Sequence, residues 1–213
     1  MSAKLAVGVK CYEEFYVYLT KANIMGQAKP QQTHYSYSEY LDLEQTDGIR
    51  YEYYHGEVFA MSGGTINHNQ ISINTQRAID DVMPDDCRAF IGDIKVEILP
   101  NAHYVYPDVV YTCASEDLDD GQDHKITSPS LVVEVLSKST RQYDKDQKQN
   151  TYMRIPSLRY YVLIDQYKYF VEAYERQEGF WKYTTYQQPE DVIALAQLNL
   201  HLTVKDIYRK VKF

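Results

Sequence analysis

The residues with the clearest chemical potential are two carboxylates in strand-like surroundings, Asp108 and Glu134. Glu134 stands inside LVVEVLS, a run that is otherwise apolar on both faces and is typical of a central strand. A buried, unpaired carboxylate is costly, so a metal ion, a lysine or a bound proton is expected beside it. The structural alternative is a strand-end glutamate paired with an arginine.

Asp108 lies in YPDVVY, where Pro107 interrupts the strand pattern and places the aspartate at a bend or strand start. Two carboxylates on neighbouring strands can share a divalent cation, which leaves coordination positions for water and a phosphate. Such an ion lowers the pKa of its water and polarises the scissile phosphate. The pair therefore predicts a hydrolytic site. The same two carboxylates would also suit an acid/base hydrolase acting on a sugar, although nothing else in the sequence supports that reading.

A predicted helix over residues 140–155 carries Asp144, Lys148 and Tyr152 at positions i, i+4 and i+8, which share one face. If this helix packs beside the Glu134 strand, Lys148 reaches the metal site and Tyr152 can form a hydrogen bond within it. The alternative is an ordinary exposed Asp–Lys pair. Residues 138–159 hold a local charge of +4 and leave −12 for the rest of the chain. A phosphate-bearing substrate would approach at this basic stretch.

Hydrophobic patterning predicts the elements that position these residues. Residues 1–35, with mildly periodic apolar positions from Tyr12 to Leu19, form an N-terminal extension or short helix, and residues 36–213 form a single domain. The predicted order is a helix at 36–43 capped by Ser36 or Ser38, a hairpin turned at His55-Gly56, a helix at 67–82, β-rich runs at 88–99, 104–113 and 131–136, the helix at 140–155, the strand LRYYVLID, and a hairpin turned at Glu178-Gly179. This order indicates an α/β fold with a mixed β-sheet flanked by helices and additional β-hairpins.

Composition limits the classes of function. The chain has 213 residues and a net charge of −8, which argues against a protein that coats nucleic acid nonspecifically. No run is long and apolar enough for a membrane span, and no signal-peptide pattern begins the chain, so we expect a cytoplasmic protein. Cys11, Cys87 and Cys113 are widely separated and odd in number, and are predicted to be reduced. With 22 Tyr against 6 Phe and 1 Trp, the aromatic residues suit half-exposed strands better than an apolar interior.

Four segments, in order and at the expected distances, resemble the Uma-two family, described as putative restriction endonucleases within the PD-(D/E)XK nuclease superfamily. They are YEYYHGEVFAMSGGTINHNQI, YPDVVY, PSLVVEVLSKSTRQYDKDQKQNTY and RYYVLID. The resemblance covers residues 36 to 190 and implies a restriction-endonuclease-like core with magnesium-dependent cleavage of a phosphodiester. It implies Asp108 and Glu134 as metal-binding carboxylates, and suggests that Glu57 completes the acidic cluster and that His68 lines it.

One position departs from the superfamily pattern. The lysine expected two residues after the glutamate is Leu136 here, and Lys148 is predicted to replace it, with Lys138 as the second choice. Glu52 alternates with Tyr51 and Tyr53 and is expected to face the same side as Tyr54 only in a bulged strand, so it is predicted to be a structural acid or one that supports the site residues.

These observations predict a metal-dependent endonuclease acting on DNA. Asp108, Glu134 and Glu57 would bind Mg²⁺, with Mn²⁺ as a substitute, and Lys148 would assist. His68, Tyr152 and Arg141 are the predicted substrate-binding residues. A homodimer is expected by analogy, since cutting both strands usually takes two sites. The alternative is a catalytically inactive nuclease-like fold that serves as a nucleic-acid-binding or assembly module.

Overall fold

The computed structural model describes residues 33–61 and 63–213, so the helix predicted near Tyr12 lies outside the described residues. The described helices are α1 (Tyr37–Asp47), α2 (Ile66–Asp80), α3 (Ser115–Leu118), α4 (Arg141–Tyr143), α5 (Gln149–Tyr152) and α6 (Val204–Ile207). A π-helical segment, Asp144–Lys148, joins α4 to α5, and we call these three together the site helix. The strands are β1 (Tyr51–Tyr54), β2 (Glu57–Ala60), β3 (Arg88–Ile91), β4 (Lys95–Leu99), β5 (His103–Val105), β6 (Val109–Thr112), β7 (Lys125–Ile126), β8 (Leu131–Leu136), β9 (Tyr160–Asp165), β10 (Val171–Arg176), β11 (Trp181–Tyr186), β12 (Val192–Leu195) and β13 (Leu200–Thr203).

Local sequence signals explain where the main helices begin. Ser36 caps α1 in a reciprocal capping box with Glu39, as predicted from the serine at this position. Thr65 caps α2, because its hydroxyl accepts a hydrogen bond from the backbone N–H of His68. The N-terminal turn of α2, which carries His68, is therefore fixed by a side chain of the preceding loop.

A six-stranded sheet in the order β11-β10-β9-β8-β6-β3 forms the centre of the molecule. Strands β8 and β9 are parallel, and the other neighbours are antiparallel. A second sheet of five strands has the order β2-β1-β5-β4-β7, and β12 and β13 form a separate ribbon. The predicted mixed α/β architecture is confirmed, although the single predicted sheet is divided into two.

Strand β8 is buried on both faces, as its apolar sequence predicts. Val133 and Val135 point into a core that includes α2, β13 and α6. Val132 and Leu136 point to the other face, into a core shared with the site helix and the five-stranded sheet. Since side chains alternate along a strand, Glu134 belongs to this second face and points toward the site helix.

Each of the two longer β-rich runs is divided between the two sheets, and the interruption predicted at Pro107 is confirmed. The run at 88–99 breaks at Gly92, whose φ of +61° turns the chain between β3 and β4. The run at 104–113 breaks at Pro107, between β5 and β6. Strands β3 and β6 therefore pair in the six-stranded sheet, while β4 and β5 pair in the other.

The prediction of reduced cysteines is wrong for two of the three. Cys87 and Cys113 form a disulfide, with Cα atoms 4.1 Å apart. Arg88 pairs with Thr112 in the β3–β6 ladder, so the next pair outward is Cys87 opposite Cys113. The sequence gives no local signal for this disulfide, because the two cysteines are 26 residues apart and only the register of β3 with β6 brings them together.

The tyrosines also occupy different positions from those expected. Several are fully buried rather than half-exposed: Tyr40, Tyr104, Tyr111, Tyr152, Tyr160 and Tyr161. Buried hydroxyls need partners, and these find them; the hydroxyl of Tyr161, for example, donates to the carbonyl oxygen of Asp144 at 3.0 Å. Tyrosine here is a core residue that also positions polar groups. Within the described ranges, no helix is both long and apolar enough to cross a bilayer.

Candidate active site

Glu134 lies at the centre of the candidate site. It is 3% exposed, and its Oε1 accepts hydrogen bonds from Lys148 Nζ at 3.0 Å and from the Tyr152 hydroxyl at 3.1 Å. Burial raises the pKa of Glu134 well above its usual range; nearby carboxylates act in the same direction, and Lys148 opposes them. The alternative of a strand-end glutamate paired with an arginine does not apply, because the partner is a lysine from the site helix.

Lys148 lies between carboxylates from three different elements. Its Nζ is 2.8 Å from Glu52 Oε1 on β1, 3.0 Å from Glu134 Oε1 and 3.9 Å from Asp144 Oδ1. Burial acts to lower the pKa of Lys148, but the surrounding carboxylates outweigh it and raise the pKa well above its usual value. Lys148 is therefore a permanently charged ammonium group at neutral pH.

The site helix presents its polar residues inward through a π-helical turn. Asp144, Lys148 and Tyr152 are all buried, so the predicted shared face is confirmed. Helical segments with i→i+5 hydrogen bonds are rare in proteins overall, and those that occur are often found at functional sites. Burial, partly offset by Lys148, raises the pKa of Asp144 to about 6. The alternative of an ordinary exposed Asp–Lys pair is thus excluded.

Asp108 stands immediately before β6, at the end of the sheet where β8 finishes. Its Oδ2 accepts the backbone N–H of Val135 at 2.7 Å and lies 3.2 Å from His68 Nε2. Burial opposes protonation of His68, but the hydrogen bond to Asp108 prevails and raises the pKa of the imidazole. A Cβ added at Gly64 would lie 2.7 Å from His68 Nδ1, so a glycine at this position leaves room for the ring.

Asp108 and Glu134 both keep one oxygen outside these contacts. Among the described residues, no hydrogen bond reaches Oδ1 of Asp108 or Oε2 of Glu134. A cavity of about 20 Å³ borders Lys148 and the aromatic rings of Tyr143 and Tyr152. A space of this size holds roughly one water molecule.

A family model described as Uma2, "Putative restriction endonuclease", matches residues 37–205. The chain belongs to the Uma2 family. Two proteins of Synechocystis sp. strain PCC 6803 are similar to it. Uncharacterized protein slr1290 is 34% identical over 177 residues, covering 82% of this chain and 92% of its own. Uncharacterized protein sll1609 is 35% identical over 140 residues, covering 65% of this chain and 79% of its own.

A solved structure from Anabaena variabilis, described as a putative nuclease belonging to DUF820, shares the fold. Its TM-score is 0.63 at 19% sequence identity, and the alignment covers 82% of this chain and 97% of that one. The nuclease fold predicted from the sequence motifs is therefore confirmed. Membership of the Uma2 family supports nuclease-like chemistry on phosphodiester bonds.

The structure explains why position 136 holds a leucine instead of the lysine of the superfamily pattern. Leu136 is completely buried in the core behind Glu134, where a lysine would have no solvent. Lys148 instead brings its ammonium group to Glu134 from the site helix. Lys138, the second choice, is exposed and lies over the ring of Tyr167 at 5.4 Å.

Three other predicted site residues do not all contact the Glu134–Lys148 pair. Glu57 is half-buried on β2 opposite Tyr54, and among the described residues no hydrogen bond or ion pair joins it to Asp108, Glu134 or Lys148. Tyr152, predicted to bind substrate, is fully buried, and its hydroxyl donates a hydrogen bond to Glu134. Arg141 forms an ion pair with Asp165 at 2.7 Å, at the end of β9.

The structure adds Gln166 to the site and changes the orientation predicted for Glu52. Glu52, predicted as a structural acid, contacts Lys148, and β1 pairs with β2 in a regular register without a bulge. Alternation in an unbulged strand places Glu52 on the same face as Tyr54, so the expectation that a bulge is needed is wrong. Gln166 is 1% exposed; its amide donates to the carbonyl of Leu136 at 3.0 Å, and its oxygen accepts from the Thr65 hydroxyl. Gln166 thus ties the end of β8 to the cap of α2.

Proposed function

We propose that this protein is a metal-dependent endonuclease that hydrolyses phosphodiester bonds in DNA, with Asp108 and Glu134 as the ligands of Mg²⁺. The observation that carries the proposal is the charge of the buried cluster. Three carboxylates, from Glu52, Glu134 and Asp144, surround the single ammonium group of Lys148, and a fourth, Asp108, is close enough to Glu134 to raise its pKa. A divalent cation would compensate the remaining negative charge.

The donor set fits magnesium. The described residues hold no ready-made group of three or more His, Cys, Asp or Glu side chains arranged as metal ligands. Mg²⁺ does not require one, because it is commonly bound by one or two carboxylates and keeps water and substrate phosphate as its other ligands. Asp108 and Glu134 each retain an oxygen for this purpose. When bound, the ion would supply a water of lowered pKa and polarise the phosphate.

The chain's own residues have distinct roles in this proposal. Lys148, held charged by Glu134 and Glu52, neutralises charge that develops on the phosphate and orients the attacking water. The Tyr152 hydroxyl fixes the rotamer of Glu134, and His68 fixes that of Asp108. We assign to Glu52 the place in the acidic cluster for which Glu57 was predicted.

Cleavage of supercoiled plasmid DNA with Mg²⁺ or Mn²⁺ tests the proposal. Glu134→Gln keeps the size of the side chain and removes its charge, so it should abolish cleavage. The matched control is Glu44→Gln, because Glu44 forms a comparable buried pair with Lys95 at 2.6 Å outside the site. If wild-type protein stays inert on many DNA substrates with either metal, and its melting temperature does not respond to them, the fold serves instead as a binding or assembly module.

A further inference from the structure

Three segments that are distant in the sequence meet beside the candidate site, and all are basic. They are residues 137–143, 166–170 and 208–213, and together they carry six Lys and Arg and no Asp or Glu. The whole chain has a net charge of −8, so this concentration of positive charge is local. A surface of this kind attracts a polyanion even on an acidic protein.

Exposed aromatic rings are interleaved with the lysines. We define the tail surface as Lys138, Tyr167, Lys168, Tyr169, Lys212 and Phe213. Tyr167, Tyr169 and Phe213 are 42%, 39% and 58% exposed. Lys138 lies over Tyr167 at 5.4 Å, and the rings of Tyr169 and Phe213 meet edge to face at 4.9 Å.

The C-terminal segment is docked on the protein rather than extended away from it. Asn67 Nδ2 donates to the carbonyl oxygen of Lys212 at 2.7 Å. The Tyr208 hydroxyl donates to the carbonyl oxygen of Asp165 at 2.8 Å, which fixes the segment against the end of β9. The lysines and rings therefore occupy defined positions.

The tail surface is held by residues that are chain neighbours of the candidate site. Asn67, which holds the C-terminal segment, directly precedes His68, and His68 contacts Asp108. On the other side, Lys138 follows the end of β8, the strand that carries Glu134. Both connections place the tail surface near the elements that carry Asp108 and Glu134.

We propose that the tail surface binds a single-stranded segment of the nucleic acid that the site cuts. The inference rests on the proposed function, because a nuclease must hold the strand that it cleaves. The lysines would contact phosphates, and the exposed rings would stack on bases. A duplex keeps its bases stacked on one another, so only an unpaired strand can use both features.

Fluorescence anisotropy in EDTA tests binding without cleavage. The probes are a fluorescein-labelled oligothymidylate of about 20 nucleotides and a duplex of equal length. Wild-type protein should bind the single strand more tightly than the duplex. Loss of stacking in Tyr167→Ser/Phe213→Ser should weaken single-strand binding about 5- to 150-fold for each base that loses its platform.

A lysine variant and a matched control complete the design. Lys168→Ala/Lys212→Ala should reduce the slope of log K against log salt by about 1.4, since each single-strand phosphate contact contributes about 0.7. The control is Phe180→Ser/Lys182→Ala on the β10–β11 hairpin, where Phe180 is 61% exposed and the Lys182 side chain 60%. Its affinity should equal that of wild type. If loss of Phe213 lowers the melting temperature, Tyr167→Ser alone carries the aromatic test.

Equal affinity of wild type for both probes, or unchanged affinity in the aromatic and lysine variants, would overturn the proposal. So would binding to vesicles containing phosphatidylserine without binding to either oligonucleotide, which would assign the surface to a membrane. Because the assay contains no divalent metal, it is independent of cleavage. If wild-type protein cleaves plasmid but the variants bind the single strand as tightly as wild type, only the proposal for the tail surface is refuted. If the variants lose binding but wild-type protein cleaves no plasmid, only the proposed nuclease function is refuted.

Discussion

Replacement of Lys148 by methionine should destabilise the protein strongly, because it leaves buried carboxylates without their cation. Lys148 is 2.8 Å from Glu52 and 3.0 Å from Glu134, and its side chain is only 8% exposed. Removing one partner of a buried ion pair costs about 3–5 kcal/mol, since the other charge stays buried and uncompensated. For a chain of this length, that loss lowers the melting temperature by about 6–20 °C.

The pH dependence of this penalty identifies its cause. The pKa of Glu134 and of Asp144, the latter about 6, is already raised in the intact protein. Without Lys148 both carboxyls should hold their protons more strongly. The difference in free energy of unfolding between wild type and Lys148→Met should therefore shrink as the pH falls toward about 6, through the interval between the carboxyl pKa of the variant and that of wild type.

Urea unfolding from pH 5 to pH 8, followed by circular dichroism, measures this difference. Lys95→Met is the matched control, because Lys95 is similarly buried and pairs with one carboxylate, that of Glu44. Both variants should lose stability, but only Lys148→Met should also lose DNA cleavage. A Lys148→Met protein as stable as wild type at pH 8, or a penalty that does not change with pH, would refute the buried network.

Three further outcomes are expected. Asp144 has a folded-state pKa of about 6 against 3.8 for the free side chain, so the folded state binds more protons between these values and stability falls as pH rises through that window; Asp144→Asn should abolish this part of the pH profile in urea titrations. Gly64→Ala should displace the His68 ring from Asp108 and lower the imidazole pKa measured by NMR, whereas an unchanged titration would show that the loop adjusts. Reduction of the Cys87–Cys113 disulfide frees a 26-residue loop in the unfolded chain and should lower the free energy of unfolding by about 3.5 kcal/mol. A count of free thiols that does not rise by two on reduction would contradict the disulfide.

Local patterns in the sequence were sufficient for most of the secondary structure. Capping at Ser36, the turn at His55-Gly56 and the doubly apolar run at 131–136 all depend on neighbouring residues, and each is found where predicted. The same reasoning explains why Glu134 and Lys148 could be assigned to one site. A carboxylate in a buried strand requires a partner, and Lys148 is the lysine that helical spacing places on one face of the next helix with Asp144 and Tyr152.

The sequence by itself therefore determined the elements, the family motifs and the central Glu134–Lys148 pair, because these follow from spacing within one or two elements. Only the tertiary structure decided the rest. Glu52 reaches Lys148, Cys87 meets Cys113 and Gln166 joins β8 to α2 through contacts 26 to 101 residues apart. Such contacts depend on strand register and on how two sheets pack around one helix, and these are properties of the whole fold that no local pattern specifies.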